Sequence, residues 1–580
     1  MTVMTNIADV SMRSPAEVCR PTDMGGARAT RHSFARQLIR KMSLDHWTIR
    51  RTVFELDDLG RGTAAYEISA SQDQFLTLAL FSQVISEDAR TDRVIAERWD
   101  VTGALVEGSL DAGAIEDLRS HVTVQEEGRA MPSTVIWGRA NRSVRFFDQV
   151  VNDLAAGRQP NADILGLSPY LLRSTAFYSN GKFGMRDFEG FAAEHVLAVP
   201  YRAHMIAAWL FREFSLDLAE HCARAKNPGA ASFDEEWARY FGLGNATGLG
   251  LVPYVVNHPE ILDAWLWSRE FPLATALDRE DRPSSEPVFT VATLLERIAA
   301  YLRQQGPDEP VPFTSGERLA ESIDPMSALV REYVDFGTMN STATATPWRT
   351  LHDAADRAGP EVRGIVATVI TELTGDLDSE VEASLVRVED RHVDPKWRIG
   401  HLRDAIGRDY SWIDEFDFSD SSQTDRFWFT SATSEEPRRG CTGSDEGLDM
   451  QHGVNVAEEI HNLRESVASL PSDLTVAEFL VSQPRFRAAV ARVQKVGPLR
   501  FGELRANLRS SGFLPLNPQR LQLAVYGMDN YNPQSTDWLR VTLFSGAPRV
   551  ADINAGTADD DWMFPLRPES NHRAESAGKA

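Results

Sequence analysis

The 580-residue chain carries only three cysteines, Cys19, Cys222 and Cys441, too few for the disulfide framework of a small secreted domain. Long apolar runs are missing as well. The most apolar helix-like stretch, 205–211, lies between His204 and Arg212, far short of the roughly 20 residues a bilayer span needs. The N-terminus lacks the continuous apolar stretch of a secretory signal. Asp9, Glu17 and Asp23 break the acid-poor pattern of a transit peptide around the arginine-rich 20–51. Positive charge is also in deficit: 60 Lys and Arg against 84 Asp and Glu leave −24, a mean field that repels nucleic-acid phosphates and anionic lipid. Together these deficits predict a soluble, cytoplasmic, acidic protein with neither nucleic acid nor a membrane as its main partner. Hydrolase elbow, kinase signature, zinc ribbon and dinucleotide fingerprint are all absent.

What is present is ordinary globular usage, 42% hydrophobic and 25% charged, which excludes collagenous and low-complexity classes. The length suits about three domains or one large helical body with appended sheets. Residues 1–30 are small, polar and unpatterned, and 554–580 carry an Asp triplet followed by Pro, Ser and Glu. Both ends are therefore expected to be disordered. Within 31–110, strands are predicted at 47–56, 62–69 with Ala64, Tyr66 and Ile68 on one face, 75–85 and 93–106. Turns such as Gly60-Arg61-Gly62 make these an antiparallel meander.

From 111 to 510, with a subdivision allowed near 275–345, helical spacing dominates. Phe147, Val150, Val151 and Leu154 set the pattern, and similar stripes recur at 291–303, 361–373 and 454–468. The helix from 201 to about 225 is apolar nearly all round in its first half, which places it centrally. In 511–553, residues 521–528 and 538–545 read as a second strand pair. The expected fold class is thus α+β: a predominantly α-helical body with an N-terminal antiparallel β-meander and a C-terminal antiparallel strand pair.

The most unusual segment is 242–250, with four glycines in nine residues. Such a loop can bring backbone N–H groups close to an anion, although it is neither a P-loop nor a dinucleotide fingerprint. Its ligand-facing residues would be Gly244, Asn245, Thr247 and Gly248; a tight connector between helices is the structural alternative. Downstream, 257–260 reads as a helix start with Asn257 as cap, Pro259 in the first turn and Glu260 reaching back. His258 would then stand at a positive helix end as an acid or base, or simply cap the helix. Residues 178–184 hold Lys182 between two glycines with Arg173 upstream, a combination suited to carboxylate or phosphate recognition.

Between 485 and 509 the local charge reverses: Arg485, Arg487, Arg492, Lys495, Arg500, Arg505 and Arg509 face a single Glu503. This run suits a nucleotide, a coenzyme A-like phosphate or an acidic partner, or else neutralises acidic neighbours in the same chain. Two Glu-x-x-His units, Glu389 with His392 and Glu458 with His461, have the spacing used in di-iron and di-manganese bundles. The two further carboxylates such a site needs are not singled out, so no bound metal is expected. Cys441 follows Arg438 and Arg439, cations that favour a thiolate, with Asp449 and His452 downstream.

The leading expectation is an enzyme acting on a small anionic, acyl or carboxylate, metabolite. Arg173 and Lys182 would hold the anion, 242–250 would form the nest, and His258 and Cys441 would be the candidate catalytic groups. No cofactor is assigned, and a homo-oligomer is compatible. A non-catalytic interaction or scaffold protein is the alternative, and a di-metal carboxylate oxidoreductase the third reading.

Overall fold

The computed structural model describes residues 10–86, 98–122, 134–165, 169–178, 190–247, 251–279, 285–305, 313–337, 347–385, 392–420, 426–431, 434–441, 449–450 and 456–569. Its strands are β1 (Thr48–Leu56), β2 (Gly62–Ser69), β3 (Phe75–Ser82), β4 (Val101–Glu107), β5 (Ile136–Arg142), β6 (Tyr170–Tyr178), β7 (Gly242–Thr247), β8 (Arg426–Ser431), β9 (Ser434–Cys441), β10 (Asp449–Met450), β11 (Asn530–Pro533) and β12 (Leu539–Leu543). Nine of them form one sheet, ordered β1-β2-β3-β4-β5-β6-β7-β12-β11, and β10-β8-β9 form a small second one. With 53% helix, the molecule is mixed α/β.

The N-terminal strands are antiparallel, as their sequence pattern predicts. The first hairpin closes because the Asp57 carboxylate accepts the backbone N–H groups of Leu59 at 3.0 Å and Arg61 at 2.8 Å. Alternation then divides the side chains between two cores. Ala64, Tyr66, Ile68, Leu76, Leu78 and Leu80 join the main core. Ala65, Ala79, Phe81, Ala104, Val106 and Trp137 pack on the opposite face with Ile115 and Leu118 of the Ala112–Ser120 helix.

The sheet extends beyond a meander. β5, β6 and β7 lie within the stretch whose dominant pattern is helical, and β6 and β7 are parallel neighbours. A parallel pair needs a long crossover. Here the crossover includes the Arg202–Lys226 helix, buried along most of its length as its all-round apolar first half implies. Gly103 of β4 lets that helix approach: a Cβ there would lie 2.9 Å from the ring of Phe211.

Two C-terminal strands complete the sheet, with β12 pairing antiparallel to both β7 and β11. Arg212 secures this long-range insertion. Its guanidinium, fully buried, donates to the carbonyls of Phe241 and Ala547 at 2.8 Å, Arg239 and Pro548 at 3.1 Å, and Ala238 at 3.2 Å.

Residues 521–528 do not form the expected strand. They belong to the helix Leu516–Tyr526 and its C-terminal turn, where Gly527 takes φ +101°. Leu521 and Leu523 alternate with Arg520 and Gln522, and because Gln519, Arg520 and Gln522 are themselves buried, no solvent-facing stripe marks the 3.6-residue period. Nor does 10–30 behave as an unpatterned leader. It forms short helices at Pro15–Val18 and Pro21–Gly25 and buries Val18, Cys19, Met24 and Arg28. At the other end, Trp562, Met563 and Phe564 are buried within the segment expected to be a disordered tail. Among the described residues no helix is long and apolar enough to cross a membrane.

Candidate functional site

Three segments distant in sequence enclose an open cavity of about 430 Å³ lined by Ala16, Arg20, Pro21, Thr22, Trp412, Glu415, Phe416, Arg505, Ala506, Asn507, Ser510, Gly512, Phe513, Leu514 and Asn517. Behind it, a buried polar triad fixes the walls. The Tyr410 hydroxyl donates to Glu503 at 2.8 Å, and Arg492 donates to the same carboxylate at 2.9 and 3.1 Å. Burial opposes the charge of Arg492, but the adjacent Glu503 more than offsets this and raises its pKa. Burial, with Glu503 adding to it, pushes the Tyr410 phenol well above its ordinary value. This triad positions the turn Ser411–Glu415, which carries Trp412 and Glu415, against the 503–507 strap bearing Arg505.

The N-terminal wall is tied to the same strap. The backbone N–H of Arg505 donates to the Cys19 carbonyl at 2.9 Å, and the Cys19 thiol reaches the Phe501 carbonyl at 3.8 Å. Burial drives the Cys19 thiol far up, against the pull of Arg505, so it stays neutral. On the far side, Arg439 donates to the Phe513 carbonyl at 2.6 Å and also contacts the Ser510 carbonyl. This holds the 510–513 turn.

These anchors leave the lining polar groups open to a ligand. Among the described residues, neither the Arg20 nor the Arg505 guanidinium has a hydrogen bond or ion pair, and the Glu415 carboxylate has none either. The Asn517 carboxamide also lacks a partner, although the residue is only 6% exposed. Trp412 is 5% exposed and its Nε1 is buried without an acceptor. The cavity therefore combines two guanidinium groups outside any ion pair, one carboxylate, the unpartnered carboxamide of Asn517 and the rings of Trp412, Phe416 and Phe513.

The glycine-rich segment is placed differently from its expected loop. Residues 242–247 are β7, held between β6 and β12, so its backbone groups serve the ladder rather than an anion. Gly244 pairs with Thr542 and stands opposite Arg173 of β6; Asn245 pairs with Val541 and Thr247 with Leu539. Arg173, Gly244 and Asn245 thus do come together, but inside a sheet, with Arg173 buried. The glycine has a packing role there, because a Cβ on Gly244 would lie 2.3 Å from the Tyr170 ring. Lys182 and Gly248 fall outside the described residues.

His258, not Asn257, caps the Pro259–Asp278 helix, with Pro259 at its start. Its Nδ1 lies 2.8 Å from the Tyr254 carbonyl, and its ring stacks on Tyr254 at 4.3 Å. Cys441 ends β9 opposite Arg426, whose guanidinium contacts the sulfur. Asp449 lies across β8 from it, paired with Thr430, and His452 is outside the described residues. His392 is exposed in an irregular segment, and Glu389 is not described. Glu458 is paired with Arg509 at 2.8 Å, and His461 packs on Phe418 at 4.7 Å. Among the described residues no group of three or more His, Cys, Asp and Glu could hold a metal ion.

The basic run is used largely inside the chain. Arg492 faces Glu503, Arg509 faces Glu458, and Arg500 donates to the Met12 carbonyl at 2.7 Å. Arg505 alone lines the cavity from this run. Sequence reasoning missed Arg20, Trp412, Glu415 and Asn517, which carry no local motif and meet only through tertiary packing. Comparison with known proteins gives no match to a family model, to a curated protein or to a solved structure.

Proposed function

We propose that the chain binds a small anionic metabolite in the cavity between the N-terminal turns and the 505–517 strap. The observation that carries this reading is the pair Arg20 and Arg505, which line one concave site with a single carboxylate, Glu415, and form no ion pair among the described residues. Guanidinium groups match carboxylate and phosphate oxygens through paired donors. In a chain of net charge −24, two unpaired cations facing one cavity concentrate attraction where the mean field repels. An enzymatic role, the leading expectation from the sequence, would use Glu415, the one lining carboxylate, for proton transfer.

The test is titration calorimetry of the full chain with inorganic phosphate, a sugar phosphate, a dicarboxylate and an aromatic carboxylate. At least one anion should bind, and Arg20→Met with Arg505→Met should abolish its heat while leaving the melting temperature within a few degrees. Absence of any anion binding to the wild type, or unchanged binding in the double variant, would overturn the reading.

A further inference from the structure

Resting on the anion reading, we propose that the ligand is a nucleoside monophosphate, its base seated among Trp412, Phe416 and Phe513 and its phosphate held by Arg20 and Arg505. Three aromatic walls facing a cavity of about 430 Å³ suit a flat π-system, since stacking on aromatic side chains is open to any base. An aliphatic carboxylate would leave these faces against water.

The polar groups set a narrower condition. The carboxamide of Asn517, a residue 94% buried and without a partner among the described residues, offers a donor and an acceptor side by side. A benzoate-like ring would leave both unmet, at a cost, whereas the edge of a nucleobase presents a complementary donor and acceptor. Glu415 supplies acceptors for sugar hydroxyls. Charge limits the tail: two guanidinium groups, with one carboxylate in the same lining, suit a single phosphate better than the larger charge of a triphosphate.

The full-length chain is titrated calorimetrically with AMP, GMP, CMP and UMP, and with adenosine, guanosine, ribose 5-phosphate and inorganic phosphate as controls. One nucleotide should bind at least about tenfold more tightly than ribose 5-phosphate and than its own nucleoside. Arg505→Met should weaken that nucleotide about 10- to 100-fold, the loss of a charge-assisted contact. Asn517→Leu should reduce the nucleotide to the level of ribose 5-phosphate without altering ribose 5-phosphate itself. Because Asn517 is buried, Phe416→Leu at a half-buried position gives an independent arm: it should weaken the nucleotide and leave ribose 5-phosphate unchanged. If ribose 5-phosphate or phosphate binds as tightly as every nucleotide, the nucleotide proposal falls and the anion reading stands. If no anion binds, both fall.

Discussion

Gly244 sits where a methyl group would lie 2.3 Å from the Tyr170 ring, and Tyr170 is 1% exposed. Gly244→Ala should therefore overpack the β6–β7 contact and cost about 1–3 kcal/mol in urea unfolding. The same substitution in a Tyr170→Leu background should cost less, and equal costs would show that the ring does not set the limit. Asp529 makes a pH-dependent case. It is 4% exposed, its Oδ1 accepts the Ala29 N–H at 3.1 Å, and burial, against the pull of Arg28 and Arg36, pushes its pKa up to about 6. Between about pH 4 and pH 6 the folded chain keeps a proton that the unfolded chain has released, so this group's contribution is present in acid and lost as pH rises through that window. Buried His32, pushed down chiefly by burial, acts oppositely: its contribution is lost as pH falls below its ordinary value near 6.5. The clean observable is therefore a difference. Asp529→Asn should gain stability relative to wild type as pH rises from 4 to 7, by roughly 2–3 kcal/mol; a difference flat with pH would exclude Asp529 as the titrating group. Of the cavity residues, only Arg505 was legible beforehand, through its basic run. Arg20 sits in a stretch of small polar residues, and nothing local in the sequence distinguishes Asn517 from any polar residue.

Strands that alternate between two cores were readable, and so were helices with one apolar stripe. The sequence boundaries of β2 and the placement of the Phe147–Ala155, Pro360–Thr371 and Val456–Ala468 helices follow their patterns closely. The Arg202–Lys226 helix was readable from its apolar first half, but two other buried elements were not, because buried polar groups or glycines erase the period. The Leu516–Tyr526 helix hides Arg520, which pairs with Glu361 at 2.9 Å, and β7 is too rich in glycine to look like a strand. Between elements, the Tyr410–Glu503–Arg492 triad is the strongest dependence in the candidate site. Arg492→Met would leave the buried Glu503 without its counter-ion and should cost about 3–5 kcal/mol in denaturant unfolding. Adding Glu503→Gln should recover part of that loss. If both variants bind anions as tightly as wild type once folded, the triad would have no part in positioning the cavity walls.

At the scale of the whole molecule, both ends of the described chain are built into its interior. Arg36 pairs with Glu372, and Arg36 and Arg40 reach Asp560 at 3.0 and 2.8 Å. Trp562 and Phe564 are buried beside Phe544 and Tyr301, with ring centroids 6.3 and 5.5 Å away respectively. The Phe34–Leu44 helix, the C-terminal segment and the strand β12 inserted beside β7 therefore brace one another across more than 500 residues of chain. Folding should consequently be cooperative between the ends rather than divided between an N-terminal sheet and a helical body. Ending the chain after Ala558 removes Asp560, Trp562 and Phe564, and should lower stability by about 5 kcal/mol or more, from lost aromatic burial and from buried arginines left short of a carboxylate. Asp560→Asn, which keeps both rings, should lose less. The measurement is thermal unfolding followed by far-ultraviolet circular dichroism for secondary structure and near-ultraviolet circular dichroism for aromatic packing. For the truncated chain, both signals should shift down together. A truncated chain that melts like the full one, or a near-ultraviolet signal lost separately from the helical signal, would show that the C-terminal segment is not part of the common core.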